Sequence, residues 1–187
     1  MTPRIEMLSE KKLVGQRIRM SIANDKTPEL WRGFMPKRKE VLNPLTTDLF
    51  CLQAFDADLE FKDYNQDTVF DKWAAIEVSN FAAVPAEMET YTLPSGLYAI
   101  FLHNGAAATG AKTFQYIYGT WLPDSDYEFD NRAQFEILGE KYKNNDPTSE
   151  EEIWIPVRLK KIMPAHKTSG SPALSEVHSG SHAAGDL

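Results

Sequence analysis

Long apolar runs are missing from this chain: no stretch approaches the roughly 18–20 residues that would span a membrane. The opening residues, Met1-Thr2-Pro3-Arg4-Ile5-Glu6, lack the apolar core of a signal peptide. A single cysteine, Cys51, excludes an internal disulfide, and within Leu49-Phe50-Cys51-Leu52 it reads as a small buried residue. No membrane partner and a cytoplasmic setting are therefore expected. Positive charge is also short, since 20 Lys and Arg against 27 Asp and Glu leave a net charge of −7. Direct binding of nucleic acid needs a concentrated basic surface. The one basic cluster, Lys37-Arg38-Lys39, has Glu40 beside it and reads as a solvated helix face. Nothing resembles a helix-turn-helix or a zinc finger, and neither would fit before Arg4.

Catalytic templates are absent too. There is no G-x-S-x-G elbow, Walker loop, dinucleotide fingerprint or H-E-x-x-H pair. Gly105 to Gly110 lacks phosphate-loop spacing and reads as a flexible loop. Three of the four histidines (His166, His178 and His182) fall in a Ser-, Gly-, Ala- and Pro-rich stretch without aromatics. That stretch has little with which to offset ordering entropy, so residues 162–187 read as a disordered tail or remnant and 1–161 as the folded domain. His103 reads as a strand-end histidine with ordinary hydrogen bonds. No metal and no cofactor are expected.

What remains is patterned. Leu13 to Met20 alternates as a half-buried strand. Thr27 as N-cap and Pro28 at the first helical position open a helix carrying Leu30, Trp31, Phe34 and Val41, with Pro36 set to kink or shorten it. Leu49 to Phe55 and Trp73 to Val78 read as strands. Between them runs an acidic, aromatic-bearing loop, Asp56 to Asp71. A second round follows: strand Gly96 to His103, an aromatic helix from Lys112, and strands Gln134 to Leu138 and Ile153 to Leu159. Pro156 suggests an edge or bulge there. Two strand-helix-strand-strand (βαββ) units predict an α+β fold with one antiparallel or mixed sheet, both helices on one face, and a cleft between them.

Glu136 stands out within that pattern. In the helix, Phe114, Ile117, Tyr118, Trp121 and Leu122 recur at i, i+3, i+4, i+7 and i+8. In Phe135-Glu136-Ile137-Leu138, alternation puts Glu136 on the face of Leu138. An acid aimed at an aromatic helix is costly without a cationic ligand, a partner side chain or a proton. Arg17, Arg19 and Arg132 are the candidate partner cations. Glu77 poses the same question less sharply, and Glu150-Glu151-Glu152 reads as a solvated loop. Trp31, Trp73, Trp121 and Trp154, with Tyr98, Tyr116 and Tyr118, are many rings for one small core. Core packing accounts for any one of them, whereas a cleft lined by several would suit a flat or cationic organic ligand.

Strand Gly96 to His103, the helix Lys112-Thr113-Phe114-Gln115-Tyr116-Ile117-Tyr118-Gly119-Thr120-Trp121-Leu122-Pro123 and the Phe135-Glu136-Ile137-Leu138 strand resemble the GyrI-like, AraC-type effector-binding domain. Trp73-Ala74-Ala75-Ile76-Glu77-Val78 and Ile153-Trp154-Ile155-Pro156-Val157 suit the same family. The resemblance covers roughly Pro3 to Lys161. It implies a duplicated fold with pseudo-two-fold symmetry and a cleft for a hydrophobic or cationic small molecule; some members carry a DNA-binding domain as well, and the lack of such a pattern here reads as a stand-alone member. Glu136 would be the buried acid of the site. Trp31, Phe34, Trp73, Tyr98, Tyr118, Trp121 and Trp154 are the candidate ligand-binding aromatics. Two other readings follow from relatives of the family. One is hydrolysis of cyclopropane-bearing genotoxic natural products, with Glu136 as general base and Tyr98 or Tyr118 steadying the electrophile. The other is a protein partner, modulation of a topoisomerase by an acidic surface that imitates DNA.

Overall fold

The computed structural model describes residues 1–161. The expected tail, with His166, His178 and His182, lies outside the described residues. Nine strands and two main helices follow one another as β1 (Arg4–Leu8), β2 (Lys11–Met20), α1 (Thr27–Lys37), β3 (Pro44–Phe55), β4 (Phe70–Val78), β5 (Glu89–Leu93), β6 (Gly96–Asn104), α2 (Gly110–Tyr116), β7 (Tyr127–Phe129), β8 (Gln134–Leu138) and β9 (Glu150–Leu159). The strands form one antiparallel sheet in the order β1-β6-β9-β8-β3-β4-β2-β5, with β7 added to the far end of β9. This is the α+β, duplicated architecture that the sequence predicts: β2-α1-β3-β4 and β6-α2-β8-β9 are its two βαββ units.

The halves meet at β3 and β8, where Cys51 pairs with Glu136. A pseudo-two-fold axis through that pair relates Arg4–Leu8 to Glu89–Leu93 and the start of β2 to the start of β6. Each half also lends a strand to the other, for β1 pairs with β6 and β5 with β2. Only Ser9-Glu10 separates β1 from β2, and only Pro94-Ser95 separates β5 from β6. These short links chain the two ends of the sheet together, so the sheet curls.

Alternation then sorts the side chains into three clusters. The inner face of the curl buries Leu13, Phe50, Leu52, Trp73, Leu93, Tyr98, Phe135 and Trp154. On the outer face, α1 packs Leu30 and Phe34 on Val14, Ala74, Ile76 and Val78. The other helical segment packs Ile117 and Leu122 on Ala99, Phe101, Ile153, Ile155 and Val157. Burial of this apolar area is the main favourable term, at about 25 cal/mol per Å2.

Several local expectations need correction. Lys26, not Thr27, occupies the cap position of α1, and the Thr27 amide instead donates to Asp25 Oδ1 at 2.8 Å. After Pro36 the helix closes within one residue and continues as a single 3-10 turn over Arg38–Glu40. Glu150 to Glu152 is no loop but the start of β9, because it pairs with His103, Leu102 and Asn104. Pro156 sits on an inner strand, at a point where β8 has already ended. Its missing N–H therefore breaks no bond to β8. The aromatic helix is not a uniform α-helix either: α2 passes into a π-helical segment, Ile117–Trp121, and a last turn, Leu122–Asp124. The wider turn redistributes its rings around the axis, as described below.

Candidate functional site

The central strands supply the floor between the helices. One row of side chains runs Glu136, Cys51, Ala74 across β8, β3 and β4, and the next runs Gln134, Gln53, Lys72. All point to the outer, helix-bearing face. Cys51, Gln53, Lys72, Gln134 and Glu136, with Phe114 of α2 and Ile153 of β9, line a tight crevice with no room for a water molecule. Glu151 joins the same face from β9, in register with Ile153, Ile155 and Val157.

The hydrogen bonds of the floor form a chain. The Tyr118 hydroxyl donates to Gln134 Oε1, and Gln134 Nε2 donates to Gln53 Oε1. Burial pushes the Tyr118 phenol up, with Tyr64 and Glu136 adding to the effect. A cluster of rings gathers around Tyr118 beside the crevice. Phe61 lies 5.2 Å from Tyr118 and stacks at 4.9 Å on Phe129, while Tyr64 packs edge-on to Phe55 at 5.5 Å. The loop carrying Phe61 and Tyr64 is fastened by Asn131, whose Nδ2 donates to the carbonyls of Asp56 and Ala57 at 3.0 and 3.2 Å.

Glu136 is half-buried, and the cation nearest to its electrostatics is Lys72, not an arginine. Arg17 and Arg19 pair with Glu89 and Asp71, and with Asp56 and Asp71. Arg132 pairs with Asp130 at 2.6 Å and covers the Tyr98 ring at 4.6 Å. These three arginines belong to the inner side of the sheet. Lys72 is buried; burial works to lower its pKa, and the Glu136 carboxylate, a hydrogen bond with the Cys51 sulfur and the more distant Asp25 work to raise it. Burial in turn pushes the Cys51 thiol up to about 12, so it stays neutral.

Burial, reinforced by Glu136 and opposed by Lys72, raises the Glu151 carboxyl to about 7. An acid raised in the folded state binds its proton more tightly folded than unfolded. Between about 4.5 and 7, stability therefore falls as pH rises, and above 7 the loss is complete. We expect Glu151→Gln to flatten this decline. Thermal melts of both forms from pH 4.5 to 8 would show it, and parallel curves would refute it.

The candidate aromatics divide among separate places. Of them only Tyr118 bonds a residue that lines the Glu136 crevice, Gln134. Trp31 and Phe34 pack edge to face at 5.9 Å against the first half's outer core. Trp121 packs on Phe101 at 5.0 Å and stacks on Tyr127 at 6.2 Å. Trp73, Tyr98 and Trp154 lie on the inner face, with the sheet between them and Glu136. There Tyr98 donates to the Ala133 carbonyl at 3.1 Å, and Trp154 Nε1 donates to Glu152 at 3.0 Å. His103 is buried and bonds Thr113 at 2.8 Å and Thr109 at 3.2 Å. Sequence reasoning missed Lys72 and Glu151, yet the alternation that exposes Glu136 would expose both. Lys72 shares a face with Phe70, Ala74 and Ile76.

The duplicated strand-helix-strand-strand sheet is matched by known proteins. The GyrI-like small molecule binding domain aligns with residues 1–158. This chain belongs to that family. It is 26% identical over 149 residues to the transcriptional regulator BrlR of Pseudomonas aeruginosa, covering 78% of this chain and 51% of BrlR. The chain thus spans about half the length of that relative. The structure of SAV2435 bound to tetraphenylphosphonium superposes with a TM-score of 0.57 at 19% identity, covering 84% of this chain and 94% of that one. The EcmrR C-terminal domain gives 0.65 at 16% identity, covering 85% and 98%. EcmrR is also solved in a DNA complex, where the match covers 58% of its chain. Among the described residues no helix is long and apolar enough to cross a membrane.

Proposed function

We propose that this GyrI-like domain binds a hydrophobic, positively charged organic molecule between its helices, with Glu136 at the polar end and the rings of Tyr118, Phe61 and Tyr64 along the sides. The observation that carries the reading is the placement of Glu136. It stands on the pseudo-two-fold axis, half-buried, facing Phe114 and the Tyr118–Gln134 bond. A carboxylate in reduced dielectric attracts a cation far more strongly than one in water does, and rings add cation–π attraction. The crevice is closed to a ligand as it stands, whereas ligand pockets hold roughly 300–1,000 Å3, so in this reading entry displaces the ring-bearing 56–69 loop. Phe61, 39% exposed, is the ring placed to move first.

Tetraphenylphosphonium titrated against intrinsic fluorescence tests this. Glu136→Gln should weaken binding at least about tenfold, the equivalent of ~1.4 kcal/mol. Equal affinity in the two forms would end the electrostatic role. The hydrolytic reading has less support, because Tyr98 faces away from Glu136 and the Tyr118 hydroxyl is given to Gln134.

A further inference from the structure

Lys72 is the charged residue of the cleft that the aromatic pattern leaves unexplained. It is 6% exposed, and a lysine so buried is costly unless its charge is compensated. Among the described residues it makes no direct carboxylate contact; it bonds the Cys51 sulfur, and the carboxylates that act on it do so through space, Glu136 first and Asp25 after it. The floor is therefore polarised. Glu136 and Glu151 stand on β8 and β9, under the second helix, and Lys72 stands on β4, two strands from Glu136. Neighbouring strands lie about 4.8 Å apart, so the two ends are separated by roughly the length of a small aromatic molecule.

We propose that Lys72 sets the charge selectivity of this cleft, which takes aromatic zwitterions, cation toward Glu136 and carboxylate toward Lys72, in preference to simple lipophilic cations. The proposal rests on the cleft being the ligand site. A simple cation beside Glu136 meets the Lys72 ammonium as a like charge. At a separation of about 10 Å and an effective dielectric near 20, that repulsion weakens binding by about tenfold or more. A zwitterion turns the same ammonium into a partner. It also supplies Lys72 with the carboxylate contact that it lacks, and Tyr64 stands within the field of the Lys72 charge.

The test uses 1-benzylpyridinium-3-carboxylate and its methyl ester, which differ only in the free carboxylate, titrated calorimetrically into the full chain. The parent protein should prefer the zwitterion by about tenfold. Lys72→Met should reverse the order, the ester gaining about tenfold and the zwitterion losing as much, while Lys72→Arg keeps the parental order. A ratio unchanged in Lys72→Met, or a parental preference for the ester, overturns the proposal. If Glu136→Gln weakens ester binding while Lys72 variants leave the ratio alone, the cleft remains the ligand site and Lys72's role falls. If no form binds either compound, both fall. Should Lys72→Met not fold, Lys72→Gln and the parental ratio decide.

Discussion

Phe135→Ala is expected to lower the stability of the domain by about 3–5 kcal/mol, read as a fall in the urea midpoint without a change in slope. Phe135 neighbours Glu136 in sequence but points to the other side of the sheet. It is 2% exposed and stacks on Trp154 at 5.2 Å, with Tyr98 at 5.3 Å and Phe50 at 5.8 Å. Removing that ring leaves a void that three other aromatic side chains cannot fill by small rotations, since each is fixed by its own neighbours. The fraction that stays folded should keep its affinity for cations, because the cleft lies on the opposite face. A loss under about 1 kcal/mol would mean that the inner cluster is loosely packed.

Gly15→Ala is the second large effect. A Cβ at Gly15 would fall 2.1 Å from the Ala74 carbonyl oxygen and 2.6 Å from the Ala75 Cα. Both obstacles are backbone, so β4 itself would have to shift, and over-packing of this kind costs about 3 kcal/mol or more. The melting temperature of a domain this size should drop by about 6–12 °C. The same movement would carry Lys72, so cation selectivity should change along with stability. Gly33→Ala provides the contrast. Its Cβ would meet only the Gln16 side chain, at 3.0 Å, and a flexible amide can swing aside. That helical position should gain about 0.5–1 kcal/mol. Equal behaviour of the two alanine variants would contradict the close approach of β2 and β4.

Much of the fold was legible because both periodicities are clean. The alternation of Gly96 to His103 and of Gln134 to Leu138, and the ring spacing from Phe114 to Leu122, correspond to β6, β8 and the second helical segment. The short lead strands were not legible. Arg4–Leu8 and Glu89–Leu93 are five residues each and mostly polar, and they are strands only because β6 and β2 offer free edges. β9 began earlier than expected because three consecutive glutamates look like a loop. Only the register with β6 sends Glu151 to the helix-bearing face and leaves Glu152 to Trp154 on the other. The aromatic pattern could not separate the two faces of the sheet. Trp73 and Trp154 are as hydrophobic as Phe114, and what decides their surroundings is the parity of their position in a strand. Lys72 was hidden by habit, since a single lysine between Asp71 and Trp73 reads as surface until the face it shares is counted.

The exchange of lead strands has a consequence for how this fold can carry an asymmetric site. Each half lacks a strand that only the other supplies, so a half by itself would be complete only in company with a second copy. Two identical copies would meet on a true axis at the place now held by Cys51 and Glu136. Whatever residue stood there would face itself: two thiols, or two carboxylates whose like charges oppose one another's ionisation. Joining the copies in one chain removes that constraint. One side of the axis can hold an acid and the other a small neutral group, and a single charge can sit at the centre of a nearly symmetric sheet.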